Sequence, residues 1–247
     1  MANTDFEIRD NVLIKYIGTA ADVIIPEGIT YIAAFSFRDC KNLVSISIPE
    51  GVTYIGHCAF SGCTSLTSIT IPNGVEVILP GTFADCKSLT SISIPDSVTE
   101  IAPSAFRGCA GLADQDGFVI IKGVLYSYWG KGKDITVPAH TASVAESAFA
   151  HCEIKRITIP KNVTIIPFCA FDGCGELEEV TLLGDVTDIQ MWAFRRCGKL
   201  TKIVLPNSVD YIGDLAFSGC DALTVCAPAG SFAEAYAKEN KIPFAAI

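Results

Sequence analysis

The stretch that decides the fold is SIPDSVTEIAPSAFRGC, at residues 93–109. Close relatives of it recur, as IPEGVTYIGHCAFSGC at residues 48–63 and LPNSVDYIGDLAFSGC at residues 205–220. In each copy a proline is followed by apolar residues at fixed distances, and the copy ends in cysteine. Self-similarity at a fixed period is the sequence signature of a repeat protein.

Eight copies share one register. Each begins at an anchor that is proline in all copies but one, and the anchors are Pro26, Pro49, Pro72, Pro95, Pro138, Pro160, Leu183 and Pro206. Six residues after each anchor stands Ile or Val, and eleven after it stands Phe. Fourteen after it stands a cysteine, and these are Cys40, Cys63, Cys86, Cys109, Cys152, Cys174, Cys197 and Cys220. We predict that each copy is one turn of a solenoid.

A longer repetition overlies the short one. Residues 118–138, FVIIKGVLYSYWGKGKDITVP, align without a gap with residues 6–26, FEIRDNVLIKYIGTAADVIIP, and each segment reads as a β-hairpin. We therefore predict a single domain, 1–247, that contains two copies of a hairpin plus four turns, at 6–112 and 118–225. Residues 226–247 break the pattern, and their Ala, Glu and Lys content predicts a short helix that caps the stack.

The spacing of LTSISIP at 89–95, followed by SVTEI and SAF, resembles the leucine-rich repeat of the BspA-type, or treponemal, class. Its pattern is close to LxxIxIPxxVxxIgxxAFxxCxxL, and the resemblance covers essentially the whole chain. It implies a leucine-rich repeat solenoid, which is a β-rich right-handed superhelix with a parallel sheet on the concave face, hairpin insertions and a short C-terminal capping helix. It also implies a non-enzymatic recognition or adhesion module of a surface or secreted bacterial protein, with host proteins such as fibronectin and fibrinogen as ligands.

The resemblance also bears on the cysteines, because this slot in the class is often Asn or Cys, which can donate a hydrogen bond to the backbone at a tight bend. Successive turns stack about 4.8 Å apart, so we expect the eight cysteines of the register to form a buried column of free thiols. Neighbours in such a column have parallel Cβ vectors, which is poor geometry for a disulfide. Zinc sites typically use closely spaced CxxC pairs, and the chain contains none. We predict no metal site and no cofactor.

Composition and charge exclude further classes. The chain has 247 residues, is 50% hydrophobic and carries a formal net charge of −9, which argues against nucleic acid because phosphate binding needs a basic surface. The apolar runs are shorter than the roughly 18 residues of a membrane helix, so we expect no membrane insertion. The first ten residues, MANTDFEIRD, have no basic or apolar signal-peptide region, and we expect no signal peptide within this sequence.

Catalytic motifs are not found. His57, His140 and His151 occupy different slots of different turns, and no GxSxG, HExxH or phosphate-binding loop occurs. The segment DQDG at 114–117 lacks the other ligands of a calcium loop, and we interpret it as the turn that opens the second hairpin. We predict that the chain is not an enzyme.

The outward positions of the main sheet lie two and four residues before each anchor. In the first half they are small, and they are Ser45, Ser47, Ser68, Thr70, Ser91 and Ser93. In the second half they are Arg156, Thr158, Glu179, Thr181, Lys202 and Val204. One interpretation is that the charges only keep the sheet soluble. The other is that Arg156, Glu179 and Lys202, which share one slot, form a protein-binding column on a concave sheet.

The second hairpin offers another candidate surface. Tyr126, Tyr128 and Trp129 lie in a Gly-bounded bend and have the composition of a binding hot spot. The alternative is that these aromatic residues pack on the solenoid. That alternative is favoured for Tyr126, whose counterpart in the first hairpin is Ile14, and less for Trp129, which is too large for a simple core exchange.

Two function classes stay open. The first is a surface-associated recognition or adhesion module, at the cell surface or secreted, which binds a host protein. The second is an intracellular, cytoplasmic interaction scaffold, which the absence of a leader sequence and the eleven cysteines favour. In both we expect a protein ligand and a monomer.

Overall fold

The computed structural model describes residues 5–247, which form two compact units, 5–113 and 114–247. The predicted leucine-rich repeat solenoid is confirmed, because each unit is a stack of parallel β-coils and a short helix lies near the C-terminus. Each unit opens with an antiparallel hairpin, also as predicted.

The described part of the N-terminal unit contains ten strands and one short 3-10 helix, Ala110–Leu112. The strands are β1 (Phe6–Arg9), β2 (Val12–Tyr16), β3 (Asp22–Ile24), β4 (Tyr31–Ile32), β5 (Ser45–Ser47), β6 (Tyr54–Ile55), β7 (Ser68–Thr70), β8 (Val77–Ile78), β9 (Ser91–Ser93) and β10 (Glu100–Ile101). One sheet has the order β1-β2-β4-β6, and β8 pairs with β10. The strands before the anchors pair as β3-β5 and β7-β9, and all pairs other than the hairpin are parallel.

The C-terminal unit contains twelve strands and one helix, α1 (Phe232–Glu239). The strands are β11 (Phe118–Ile121), β12 (Val124–Tyr128), β13 (Asp134–Thr136), β14 (Ser143–Val144), β15 (Arg156–Ile159), β16 (Ile165–Ile166), β17 (Glu179–Leu182), β18 (Asp188–Ile189), β19 (Lys202–Val204), β20 (Tyr211–Ile212), β21 (Thr224–Ala227) and β22 (Phe244–Ala246). Its largest sheet has the order β13-β15-β17-β19-β21-β22, and smaller sheets have the orders β11-β12-β14 and β16-β18-β20.

The two hairpins close through two-residue turns with left-handed backbone. Asp10 and Asn11 have φ of 49° and 63°, and Lys122 and Gly123 have φ of 47° and 80°. Positive φ at both central residues matches the right-handed twist of the flanking strands, which is why such turns favour Asn and Gly. Each predicted hairpin therefore closes through a tight turn.

The core of each unit is a stack of aromatic rings, one from each turn. In the C-terminal unit Phe171 lies between Phe149 and Phe194, with ring centroids 5.1 and 5.0 Å apart and interplanar angles of 3°. All three rings are buried. In the N-terminal unit the corresponding stack is formed by Phe37, Phe60, Phe83 and Phe106. The Phe of each copy thus buries its ring against the neighbouring copies of its unit.

The cysteines of the register are free thiols that lie beside the aromatic stack. In most of them Sγ donates to the carbonyl of a Phe one turn earlier in the chain, as in Cys63 to Phe37 (3.1 Å) and Cys174 to Phe149 (2.9 Å). The same bond is made by Cys86, Cys109, Cys197 and Cys220. Cys40 and Cys152, in the first turn of each unit, are less buried than the others. The thiol is therefore a second donor to a carbonyl that already accepts a backbone N–H in its own turn, as Phe37 O does from Cys40 N–H (3.1 Å) and Phe149 O from Cys152 N–H (3.0 Å).

The C-terminal end of the sheet is covered by more than the predicted helix. Helix α1 is capped at its N-terminus by Ser231, whose hydroxyl accepts from the Glu234 N–H (3.3 Å), and it buries Tyr236 against Phe217. After the helix, β22 pairs with β21 in parallel and adds a final strand to the largest sheet. Sequence analysis did not predict this strand.

We expect Phe171→Ala to lower the free energy of unfolding by about 3–5 kcal/mol, the usual cost of truncating a fully buried Phe. The ring stacks on both neighbours, so no adjacent side chain can fill the space. The measurement is equilibrium unfolding in denaturant. Phe232→Ala is the control, because Phe232 is 44% exposed and should cost less than about 1 kcal/mol. Similar losses in the two variants would contradict the stacked core.

Thr141→Val should raise the free energy of unfolding by about 1–2 kcal/mol, because a buried unsatisfied hydroxyl costs about 1–3 kcal/mol. Thr141 is fully buried, and its hydroxyl has no hydrogen-bond partner among the residues that the structure describes. The same slot holds Val in most turns. Thr82→Val is the matched control, since the buried Thr82 hydroxyl donates to Leu79 O at 2.8 Å. The measurement is equilibrium unfolding in denaturant. Equal stabilisation of the two variants would show that the unsatisfied hydroxyl of Thr141 is not the cause.

The thiol column should make folding sensitive to alkaline pH. Burial raises the pKa of Cys63 and of Cys109 to about 12, whereas an unfolded thiol has a pKa of about 8.5. Between these values the unfolded chain has released protons that the folded chain retains, so stability is lost as pH rises. Each such thiol should steepen the fall in unfolding free energy by about 1.4 kcal/mol per pH unit.

The check is denaturant unfolding at a series of pH values above about 8.5, where the unfolded thiol begins to ionise. The comparison variant is Cys63→Ala/Cys109→Ala, whose stability should fall less steeply with pH than that of the parent. Parallel curves for the two proteins would show that these thiols ionise as readily in the folded chain as in the unfolded one.

Candidate functional site

The candidate site lies on the largest sheet of the C-terminal unit. In strands β13, β15, β17 and β19 the first residues pair directly across the sheet, as Asp134 with Arg156, Arg156 with Glu179, and Glu179 with Lys202. All four side chains are exposed. We call these four residues the charge column and the outward side of these strands the front face. The repeat aligns these four residues in one column, because each of them stands four positions before the anchor of its turn.

The charge column alternates in sign along its length, from acid at Asp134 to base at Lys202. Arg156 Nη2 lies 2.7 Å from Asp134 Oδ2, and this carboxylate raises the pKa of the Arg156 guanidinium. Glu179 and Lys202 form no ion pair with any residue between 5 and 247. These two exposed charges are therefore available for a partner, while Arg156 is already shared with Asp134.

A shallow groove of about 430 Å³ lies beside the unpaired charges. It is lined by residues of β17 and β19 and their approaches, which are Glu178, Glu179, Val180, Thr181, Leu182, Thr201, Lys202 and Val204. Glu178 is engaged with Lys155, whose Nζ lies 3.3 Å from its Oε1. The groove combines opposite charges, hydroxyls and the partly exposed Val204, so it can accept a mixed polar and apolar contact.

Beside the charge column runs a second, uncharged column. Thr136 pairs with Thr158 and Thr158 with Thr181, and in the next strand Val204 stands at the same distance before its anchor. These side chains are short, so the front face carries no bulky side chain next to the charges. A partner surface can therefore approach the sheet closely.

The corresponding face of the N-terminal unit is nearly uncharged. Ser45 pairs with Asp22, and its hydroxyl donates to the Asp22 carboxylate. Ser68 pairs with Ser91 in the same slot. Asp22 is the one charge in this slot of the described N-terminal strands, and it occupies the position that Asp134 holds in the other unit. The contrast between small and charged residues that sequence analysis drew is present on these faces.

Sequence analysis missed Asp134 as a member of the column. Asp134 stands four residues before Pro138, so the rule that selects Arg156, Glu179 and Lys202 also selects it. The omission has a simple cause, because the strand before Pro138 belongs to the segment predicted as the second hairpin and not to a solenoid turn.

The hairpin aromatic residues divide between core and surface. Tyr128 was a candidate binding residue, and the structure corrects this, because its ring is buried between Phe118 and Phe149 and its hydroxyl accepts from the Gly132 N–H (3.1 Å). Its slot equals that of Tyr16, which stacks on Phe37 in the other unit. Trp129 is 50% exposed, and its Nε1 donates to Ser127 Oγ at 2.9 Å.

A second polar cluster lies elsewhere in the C-terminal unit and was not predicted. Arg195 pairs with Asp172 through Nε to Oδ1 (2.8 Å) and Nη2 to Oδ2 (2.6 Å), while its guanidinium lies 4.4 Å from the Trp192 ring centroid. Arg195 lowers the pKa of Asp172. Asp172 and Arg195 occupy the same slot of consecutive turns, which is the signal that could have found them. Both charges are satisfied by each other, so the cluster holds two turns together.

Metal and membrane sites can be addressed for the described residues. Within residues 5–247 no group of three or more His, Cys, Asp or Glu side chains could hold a metal ion. At the predicted turn DQDG, Asp114 Oδ1 accepts from the backbone N–H of Asp116 and Phe118 instead. None of the helices in this part of the chain has the length and apolar character needed to cross a membrane.

Comparison with known proteins identifies relatives by family and by fold. A family model described as BspA type leucine rich repeat region matches residues 7–116 and 119–234. The pneumococcal vaccine antigen PcpA has a similar structure, with a TM-score of 0.55 and 20% identity over 84% of this chain. This chain spans 62% of the length of that structure. A leucine-rich repeat protein from T. pallidum aligns over 100% of this chain and 97% of its own, with 22% identity and a TM-score of 0.46.

A comparison with curated protein sequences finds no match. At such identities the structural likeness to PcpA establishes the fold. The family model, in contrast, matches the sequence itself over nearly all of both units. The protein therefore belongs to the BspA type leucine-rich repeat family.

Proposed function

We propose that this protein is a non-enzymatic recognition module that binds a partner protein through the front face of its C-terminal unit. The observation that carries the proposal is the charge column, in which Glu179 and Lys202 stand exposed beside a groove and form no ion pair with another described residue. Parallel sheets of repeat proteins commonly serve as extended binding surfaces. The partner proposed from the family resemblance is a host extracellular protein, so the module would act in adhesion at the cell surface or after secretion.

A contribution to the stability of the fold is a weak explanation for the exposed charges of the column. Isolated exposed ion pairs contribute little, typically below about 1 kcal/mol, and Glu179 and Lys202 do not form one within the described chain. Charged residues at an interface select partners by complementarity and increase the association rate. The short Thr side chains next to the column support the same role, because they let a partner reach the charged groups. Trp129 offers a second exposed contact on the hairpin of this unit.

The eleven free cysteines favour a second candidate, an intracellular interaction scaffold. Disulfides form and persist in oxidising compartments, and free thiols are the usual state in the cytosol. Most of these thiols are buried, which also protects them outside the cell. Protease treatment of intact cells of the source organism separates the two candidates, since a surface protein is cleaved and a cytoplasmic one is not.

The adhesion proposal is tested with immobilised fibronectin and fibrinogen. The variant Arg156→Ser/Glu179→Ser/Lys202→Ser makes the front face resemble that of the N-terminal unit, and we expect affinity to fall by about tenfold or more, which corresponds to about 1.4 kcal/mol. Circular dichroism and the melting temperature should stay close to those of the parent, because the three side chains are exposed.

The control is Glu176→Ser/Lys199→Ser, which removes another exposed ion pair of the same unit, 2.8 Å long. This variant should bind as the parent does. Unchanged affinity in the triple variant would place the site away from the charge column. Failure of the parent to bind either host protein would contradict the adhesion proposal itself.

A further inference from the structure

We infer that the front face of the C-terminal unit also fits a second copy of the same face, so that the protein forms a weak, two-fold symmetric dimer. The inference concerns the surface of the proposed function but does not depend on any partner, because self-association is measured with the protein alone. It replaces the monomer expected from the sequence.

The order of charges carries the inference. Along β13, β15, β17 and β19 the charge column reads negative, positive, negative, positive. Read from the other end, it is positive, negative, positive, negative. Two copies placed face to face in opposite order therefore oppose Asp134 to Lys202 and Arg156 to Glu179, each pair occurring twice. All four contacts join opposite charges.

Symmetry allows this arrangement in one orientation. A two-fold axis can run parallel to the strands, between Arg156 and Glu179. It reverses the order of the charge column in the second copy and places that column directly opposite the column of the first copy. Such an interface is isologous, because both copies use the same patch: Arg156 of each copy contacts Glu179 of the other. An axis parallel to the column would instead place like charges opposite each other, which costs free energy. The charges thus select a single register.

Shape and neighbouring charges agree with this register. The Thr column beside the charges is short, and two sheets pack face to face at about 10 Å. The groove beside Glu179 and Lys202 leaves room for the long Arg156 side chain of the second copy. Lys155 and Glu178 form an ion pair at 3.3 Å within one chain. In the dimer, Lys155 of each copy lies opposite Glu178 of the other. No like charges of these two pairs are brought together.

The contact is small. Three strand intervals of about 4.8 Å span the column, so the buried area lies well below the 1,200–2,000 Å² or so of a stable interface. A weak dimer follows, with a dissociation constant of about 10 µM to 1 mM. A protein partner that engages the same face would compete with the dimer, so a high local concentration would keep the face covered until a partner is met.

The test is sedimentation velocity of the full chain at concentrations up to about 1 mM. The variant Arg156→Glu puts a carboxylate opposite Glu179 at two contacts, and Glu179→Arg puts a guanidinium opposite Arg156 at two contacts. We expect each single variant to raise the dissociation constant by about tenfold or more. The two substitutions change the net charge in opposite directions, so a general charge effect would weaken one dimer and strengthen the other.

Mixing the two single variants supplies the decisive measurement. A chain with Arg156→Glu opposite a chain with Glu179→Arg again joins opposite charges at all four contacts, and we expect the mixture to dimerise although neither variant does so alone. Recovery on mixing also excludes misfolding as the cause of the single losses. The double variant Arg156→Glu/Glu179→Arg should likewise dimerise by itself.

The inference is overturned if the parent stays monomeric at the highest concentration, if either single variant associates as the parent does, or if the mixture fails to recover association. These outcomes are independent of the proposed function. A parent that dimerises but binds neither host protein would contradict only the adhesion proposal, and a parent that binds a host protein but stays monomeric would contradict only the dimer. The double variant separates the two further, because restored self-complementarity need not restore binding to a different protein.

Discussion

The structure depends on the backbone hydrogen bonds that each turn donates to the next. Phe171 N–H donates to Ala193 O at 2.7 Å, and Gly173 N–H to Arg195 O at 2.8 Å, so the bonds join residues 22 positions apart. In the N-terminal unit Phe37 N–H donates to Ala59 O at 2.8 Å, again 22 positions on. Buried backbone groups must be paired, so each turn has to match the length of its neighbour. The period of 22–23 residues is a consequence of this requirement.

The bends show how strict the requirement is. Thirteen residues after every anchor the backbone has positive φ, and in the N-terminal unit a side-chain residue alternates with glycine, as in Asp39 (59°), Gly62 (76°), Asp85 (60°) and Gly108 (79°). A Cβ on Gly62 would collide with the Asp39 carboxylate. In the C-terminal unit a Cβ on Gly173 would meet the His151 ring in the same way. The side chain in this slot of one turn thus lies over the glycine in the same slot of the next turn. There is no room for a side chain in this slot on two consecutive turns.

Turns of equal length arrange the residues in columns, and inside and outside columns carry different roles. The Phe column and most of the Cys column are buried, and they hold the turns together through ring stacking and thiol-to-carbonyl bonds. The outward slots make few contacts that stability requires, so they can change without loss of the fold. Within this architecture the N-terminal unit presents Ser and Thr, and the C-terminal unit presents alternating charges. Recognition by such a protein is therefore a property of the surface slots, which the fold positions but does not prescribe.

The sequence by itself determined the features that repeat. The Phe, Cys and anchor registers, the two hairpins and the terminal helix were predicted, because burial and turn chemistry allow few residue types at those positions. Tertiary structure decided which residues meet across turns. It placed Tyr128 between Phe118 and Phe149 and paired Asp134 with Arg156. It left Glu179 and Lys202 without an ion pair in the part of the chain that the structure describes. It also added β22 to the sheet, although this short segment follows a helix and has no repeat register. These contacts join side chains from different turns, and their distances depend on rotamers and stacking that no single turn of sequence contains.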